Sequence, residues 1–149
     1  MKNKIQDLAA KIHHDVVGYR HHIHSNPELS FQEFQTSAFI KEKLNLWGIE
    51  FIEMANTGVV GLIKGAIPSD KVIALRADMD ALPIQEANDK PYRSKNQGVM
   101  HACGHDVHSS SLLGTAYILN QLKDEFAGTI KLVFQPAEEV LPGGASIMI

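Results

Sequence analysis

The run Val72-Ile73-Ala74-Leu75 constrains the fold more than any other stretch. Four consecutive apolar residues are too few for a helix core and lack the alternation of a half-solvated strand. The pattern predicts a strand over Lys71 to Ala77 that is buried on both faces. Such a strand needs a layer packed on each side of its sheet. The flanking segments supply candidates. From Asn3 to His24, Ile5, Leu8, Ile12 and Val16 recur at spacings of three and four, which predicts an amphipathic helix. It stops before Ser25-Asn26-Pro27, because a proline disfavours helix in the residue before it. A second helix is predicted from Ser30, where Ser30 and Glu33 have capping-box spacing, to Gly48, with Ile40, Leu44 and Trp47 as its apolar stripe.

Further strands are predicted at Ile49 to Glu53, Gly58 to Lys64 and Gly128 to Gln135, and a third helix from Asp106 to Leu122. Gly65 to Asp70 reads as a turn-rich connection, and Asp78 to Gly98 as a long polar loop of the kind that is usually functional. The alternation predicts one α/β domain: a three-layer arrangement with helices on both faces of a substantially parallel sheet. Ligands of such sheets collect beyond the C-terminal ends of the strands.

Composition removes several function classes. The formal net charge is −3 and no run of five like charges occurs, so neither nucleic acid nor a polybasic membrane contact is expected. The single cysteine excludes an internal disulfide and suits a reducing compartment. Met1 to Asp7 lacks the apolar core of a signal peptide, and no apolar run is long enough to span a bilayer; a cytoplasmic location is expected. At the other end, a Gly-rich turn leads into Ser146-Ile147-Met148-Ile149, an apolar start that stops, so a truncated domain is expected.

Met100 to His108 packs the only cysteine, three of the eight histidines and Asp106 into one short stretch. Cys103 and His105 can supply a thiolate and an imidazole to one divalent metal, and Gly104 between them has the backbone freedom to let both turn inward. Asp78 and Asp80, two apart, share one side of an extended segment. They can bind metal or brace a ligand histidine, or can simply pair with Arg76. Glu138 and Glu139 follow Gln135-Pro136 just past a predicted strand. An irregular backbone there can bring both to the site, one as ligand and one as base. Asp106 is expected to cap the third helix, with His101 and His108 as support or substrate contacts. His13, His14, His21, His22 and His24 have no other ligand type beside them, so surface or packing roles are expected. A competing reading makes Cys103 a nucleophile with His101, His105 or His108 as base. Against it, catalytic Cys-His pairs usually assemble across a fold rather than between sequence neighbours.

Arg20-His21-His22-Ile23-His24-Ser25-Asn26-Pro27-Glu28-Leu29-Ser30, Leu75 to Ile84, Met100 to His108 and Gln135 to Glu139 occur in that order. Together they resemble the N-terminal part of the amidohydrolase branch of the aminoacylase/carboxypeptidase metallopeptidase family. That branch includes hippurate hydrolases, N-acyl-amino-acid amidohydrolases, N-acetyldiaminopimelate deacetylases and auxin-conjugate hydrolases. The resemblance implies a zinc-peptidase-like catalytic domain with Cys103, His105 and Glu139 as metal ligands and Glu138 as general acid/base. It implies an orienting role for Asp80 and a supporting one for Asp78, which stands where other branches carry a ligand histidine. Two divalent ions per full-length subunit (Zn, Mn, Co or Ni) and a small N-acyl amino acid or peptide-like substrate are implied. Residues 1–149 are then the N-terminal portion of the catalytic domain. Two further ligand histidines and a dimerising lid domain are expected in the remainder, and this chain alone is expected to be inactive. A non-catalytic metal-binding or interaction module with the same fold is the alternative.

Overall fold

A computed structural model describes residues 2–149 of the chain. Its elements, in order, are α1 (Lys2–Ser25), α2 (Phe34–Leu46), β1 (Glu50–Met54), β2 (Gly58–Lys64), β3 (Ile67–Asp78), α3 (His105–Gln121), a 3-10 turn (Lys123–Glu125), β4 (Ala127–Gln135) and a short α4 (Ala145–Met148). The molecule is a mixed α/β structure with its sheet flanked by helices, the class expected from the pattern.

Strand order is β1-β2-β4-β3. Only β3 and β4 run parallel; β1 with β2 and β2 with β4 are antiparallel. The expected predominance of parallel pairing is therefore corrected. The reason lies in the connections. Between β1 and β2 the chain reverses through Ala55 and Asn56, both at positive φ, and a tight hairpin enforces antiparallel neighbours. Only the β3–α3–β4 crossover is long enough to return the chain in the same direction.

Register places Val59, Gly61 and Ile63 opposite Phe134, Leu132 and Ile130, which face Ala77, Leu75 and Ile73 on the other side. Alternate residues share a face, and this one meets Ile40 and Leu44 of α2 and Leu112, Leu113 and Ala116 of α3 in a single core. A Cβ on Gly61 would lie 3.3 Å from Leu132 and 3.4 Å from Leu44, so the missing side chain lets α2 settle onto the sheet. At the α1–α3 crossing a Cβ on Gly114 would lie 2.7 Å from Val16, and glycine serves the same end.

The apolar run that predicted a doubly buried strand is not buried: Val72 is 56% exposed and Ile73 61%. It forms part of β3, which is an edge strand and is paired only with β4. Burial is reached only at Ala77 and Asp78, where the strand enters the site. β3 also begins earlier than expected, at Ile67, and runs through Pro68. A register irregularity between Ile67 and Val72 accommodates the proline, which an edge strand tolerates.

The capping box is corrected too. α2 starts at Phe34, and the Glu28 carboxylate accepts from the Gln35 and Thr36 N–H groups at 3.0 and 2.9 Å. Those donors would otherwise be unpaired at the helix start. Ser30 and Glu33 are thereby free for other partners. The long connection from β3 to α3 is tied down: Leu82 and Met100 exchange two backbone hydrogen bonds of 3.0 Å, and Ser25 Oγ donates to the Tyr92 carbonyl at 2.8 Å. Among the described residues, no helix is long and apolar enough to cross a membrane.

Candidate metal centre

Three segments converge where the parallel strands end. Asp78 is the last residue of β3 and lies opposite Gln135, the last of β4. Met79 N–H donates to the Gln135 carbonyl at 3.0 Å, which fixes the two exits side by side. Asp80 continues from one strand and Glu138-Glu139 from the other, while Gly104-His105 opens α3 between them. Gly104 has φ of 106°, a conformation that glycine adopts without steric cost, and it turns Cys103 and His105 toward a common point. Ala137 also has positive φ, at 49°. That kink is what breaks the strand alternation and sends both glutamates to the same side.

The result is a compact ligand set. Atoms of Cys103, His105 and Glu139 all lie within 4.8 Å of one another. His105 Nε2 is 3.9 Å from Glu139 Oε1 and 3.8 Å from Glu138 Oε2. Glu139 Oε1 is buried and has no hydrogen-bond partner. An orphaned buried carboxylate oxygen is costly and calls for a cation. Sulfur, nitrogen and oxygen donors together suit a borderline-soft divalent metal, so the residues present fit one. Glu139 foremost, with partial burial and the Glu138 and Asp78 charges, holds the Cys103 thiol above its ordinary pKa. That argues against a free thiolate nucleophile. A metal held there would displace the thiol proton.

Asp80 organises the imidazole. His105 Nδ1–H donates to the Asp80 main-chain carbonyl at 2.8 Å, with the carboxylate Oδ1 alongside at 3.2 Å. Nδ1 is thus the protonated nitrogen, leaving the Nε2 lone pair for a ligand. Burial of the His105 ring lowers its pKa, but the Asp80 hydrogen bonds and charge outweigh this and carry it up to about 8. Asp80 itself is only 1% exposed. Burial alone would raise its pKa, yet hydrogen bonds from His105, Ser30 and the backbone of Glu139 and Glu138 hold it well below the carboxylate range. Its Oδ2 accepts from Ser30 Oγ at 2.7 Å and from Glu139 N–H at 3.0 Å.

Glu33 is a second anchor that the sequence reading assigned to a helix cap. It is fully buried, and it accepts from Ala137 N–H at 2.8 Å, Phe31 N–H at 3.0 Å and Thr57 Oγ1 at 2.7 Å. The bond to Ala137 pins the kink immediately before Glu138. Beyond the local bond to Phe31, no pattern around Glu33 signals this, because Thr57 and Ala137 are 24 and 104 residues away.

The remaining candidates fall around this centre. Asp78 pairs with Arg76 at 2.8 Å, as one reading of the sequence allowed, and its other oxygen lies 3.4 Å from His108 Nδ1. Asp78, His105 and His108 form a second group of potential ligand atoms within 4.8 Å. Asp106 does not cap α3, contrary to expectation. Its carboxylate instead accepts from Arg20 Nε at 3.0 Å and lies 2.9 Å from His24 Nδ1. The N-terminal residue of the pair comes from α1, which packs against α3 and offers the carboxylate a positive partner within the fold. His24 Nε2 is in turn 3.1 Å from Glu86 Oε1. His24 packs, as expected of the N-terminal histidines, but as a buried bridge between two carboxylates. The signal available in the sequence was Arg20 and His24 one helical turn apart. His101 is 4% exposed and neither ring nitrogen has a partner. Burial, before the surrounding charges, pushes its pKa down to about 4, so it is neutral.

Comparison with known proteins accords with this geometry. The model of Peptidase family M20/M25/M40 matches residues 74–149. An N-acyl-L-amino acid amidohydrolase of Geobacillus stearothermophilus is 49% identical over 99% of this chain and 40% of its own length. A hippurate hydrolase of Campylobacter jejuni is 54% identical over 87% of this chain and 33% of its own. The crystal structure of Bacillus subtilis YXEP protein, described as a dinuclear metal binding peptidase from the M20 family, superposes with a TM-score of 0.86 at 46% identity. That superposition covers 90% of this chain and 38% of that one. The chain thus spans about 40% or less of the relatives it matches, and the last residues of β3, all of α3 and β4, and every candidate ligand lie within the matched family region. The chain belongs to Peptidase family M20/M25/M40.

Proposed function

We propose that the chain is the metal-binding, N-terminal part of an amidohydrolase that cleaves N-acyl amino acids to a carboxylate and a free amino acid. The observation that carries this is the Cys103–His105–Glu139 ligand set, with the partnerless Glu139 oxygen inside it and the free Glu138 carboxylate beside it. The names of the similar proteins, an N-acyl-amino-acid amidohydrolase and a hippurate hydrolase, support the substrate class.

In this reading Cys103, His105 and Glu139 hold a divalent cation (Zn, Mn, Co or Ni), and two cations are bound when the rest of the protein is present. When bound, the metal supplies Lewis-acid polarisation of the scissile carbonyl and acidification of water. Glu138, exposed and with no hydrogen bond to its carboxylate among the described residues, accepts the proton that the attacking water loses and passes it to the leaving nitrogen. An amide nitrogen leaves poorly unless protonated, so one carboxylate serves both halves of the reaction. Asp80 fixes the His105 tautomer and ring plane. Asp78, paired with Arg76, and His108 flank the site, Asp106 braces the start of α3, and His101 keeps a neutral imidazole beneath it. The further ligands and a dimerising lid are assigned to the lengths of the relatives that this chain does not cover.

The test is a pair of measurements. The 149-residue chain takes up zinc, and in a chain of the relatives' full length Glu138→Gln retains the metal while hydrolysis of N-acetyl and N-benzoyl amino acids falls by roughly a hundredfold or more. Retained activity in that variant, or none in the parent despite bound metal, contradicts the proposal.

A further inference from the structure

Beside the ligand set lies a pocket of about 400 Å³ whose walls are Leu29, Ala81, Leu82, Pro83 and Val140, with Glu139 at one side. Its position follows from the fold. Ala81 to Pro83 continue directly from Asp80, and a short parallel bridge between Leu29 and Ala81 closes the wall. Val140 follows Glu139 on the opposite lip. Two uncharged polar side chains complete the lining: the Ser30 hydroxyl, already committed to Asp80, and the exposed Gln32. The lining holds no lysine, arginine or histidine; Arg76 and His108 line a separate cavity with Asp78.

We propose that this pocket receives the acyl chain of the substrate, and that it selects for an extended apolar acyl group over acetyl. The inference rests on the amidohydrolase reading and adds direction to it. An N-acyl amino acid is asymmetric about its amide: the amine side carries a carboxylate and the acyl side does not. A pocket without a cationic side chain offers the carboxylate side no partner, and its apolar walls gain by covering hydrocarbon. With the scissile carbonyl at the ligand set, the acyl chain runs along Ala81-Leu82-Pro83 and the amino-acid half points away from it. The volume falls in the range of small-molecule sites, roughly 300–1,000 Å³, and exceeds what a lone methyl group needs.

The carboxylic-acid product offers a probe that requires no turnover. The zinc-loaded chain is titrated with acetate, butyrate and hexanoate while the methyl resonances of Leu29, Leu82 and Val140 are followed by NMR. A fully buried methylene is worth about a fourfold gain in affinity, so binding tightens about tenfold or more from acetate to hexanoate, with the shifts centred on those three residues. Val140→Trp, filling the pocket from its exposed lip, removes the gain. Equal affinities for acetate and hexanoate, or a gain that Val140→Trp leaves intact, overturn the proposal. Zinc uptake is measured separately on the same sample. Failure to bind zinc sinks the metal reading, whereas hexanoate shifting the same methyls without zinc still supports the pocket.

Discussion

The Nδ1–H of His105 points at the main-chain carbonyl of Asp80, 2.8 Å away, and the carboxylate of the same residue sits alongside at 3.2 Å. One residue therefore fixes the imidazole tautomer with its backbone and raises the ring's basicity with its side chain. Asp80→Asn keeps the first contribution and loses the second. Groups that orient a metal-binding histidine typically contribute 10–100-fold to affinity, and a loss of about that size in zinc affinity is expected. Competition against a chromophoric chelator measures it. In the metal-free variant, NMR titration is expected to place the His105 pKa below the value of about 8 in the parent.

The opposite shifts of His105 and His101, both buried, predict a bell-shaped stability for the metal-free chain. His105 is raised to about 8, so its contribution is complete below the unfolded value near 6.5 and is lost as pH rises through 8. His101 is lowered to about 4, so its contribution is complete above 6.5 and is lost as pH falls toward 4. Thermal melts between pH 4 and 9 should therefore peak near pH 6.5. Saturating zinc should flatten the alkaline side, because the metal takes the neutral imidazole. A metal-free maximum above pH 8 contradicts the assignment.

His24 bridges the Asp106 and Glu86 carboxylates, and its side chain is 6% exposed. Removing it takes one partner from each of two buried acids, leaving Asp106 with Arg20 and Glu86 with the Ser94 N–H. His24→Ala is expected to cost about 3 kcal/mol by urea denaturation. Arg20→Ala, at a side chain 39% exposed, should cost under half as much.

Glu33 offers a separate handle on the turn at Ala137. Glu33→Ala leaves the Ala137 N–H and the Thr57 hydroxyl without their acceptor, at roughly 1–3 kcal/mol for each buried group. Because Ala137 sets the direction of Glu138 and Glu139, zinc affinity should fall with stability. Unchanged metal affinity in a folded Glu33→Ala protein would show that the turn holds itself.

What could be read from the residues was local or chemical in kind. Helical periodicity gave α1 and α3 nearly to the residue, β2 matched its predicted span, and the spacing of Cys103 and His105 around a glycine foretold their convergence. What escaped depended on distant partners. The Val72–Leu75 run forms a strand, but hydrophobicity does not say how many neighbours that strand has, and β3 has one. Ser30 and Glu33 have the spacing of a cap, yet a carboxylate from Glu28 took that role, and the two turned inward to Asp80 and Ala137. Asp106 looked like a cap for the same reason, until the packing of α1 brought Arg20 and His24 to it.

If Cys103, His105 and Glu139 hold one cation between them, cobalt will report the thiolate in its spectrum. Titrating the 149-residue chain with Co(II) should produce a thiolate-to-metal charge-transfer band that saturates, disappears with chelator, and is absent in Cys103→Ser. Glu139→Gln should weaken the same complex. A cobalt complex with unchanged affinity and spectrum in Cys103→Ser would contradict the account.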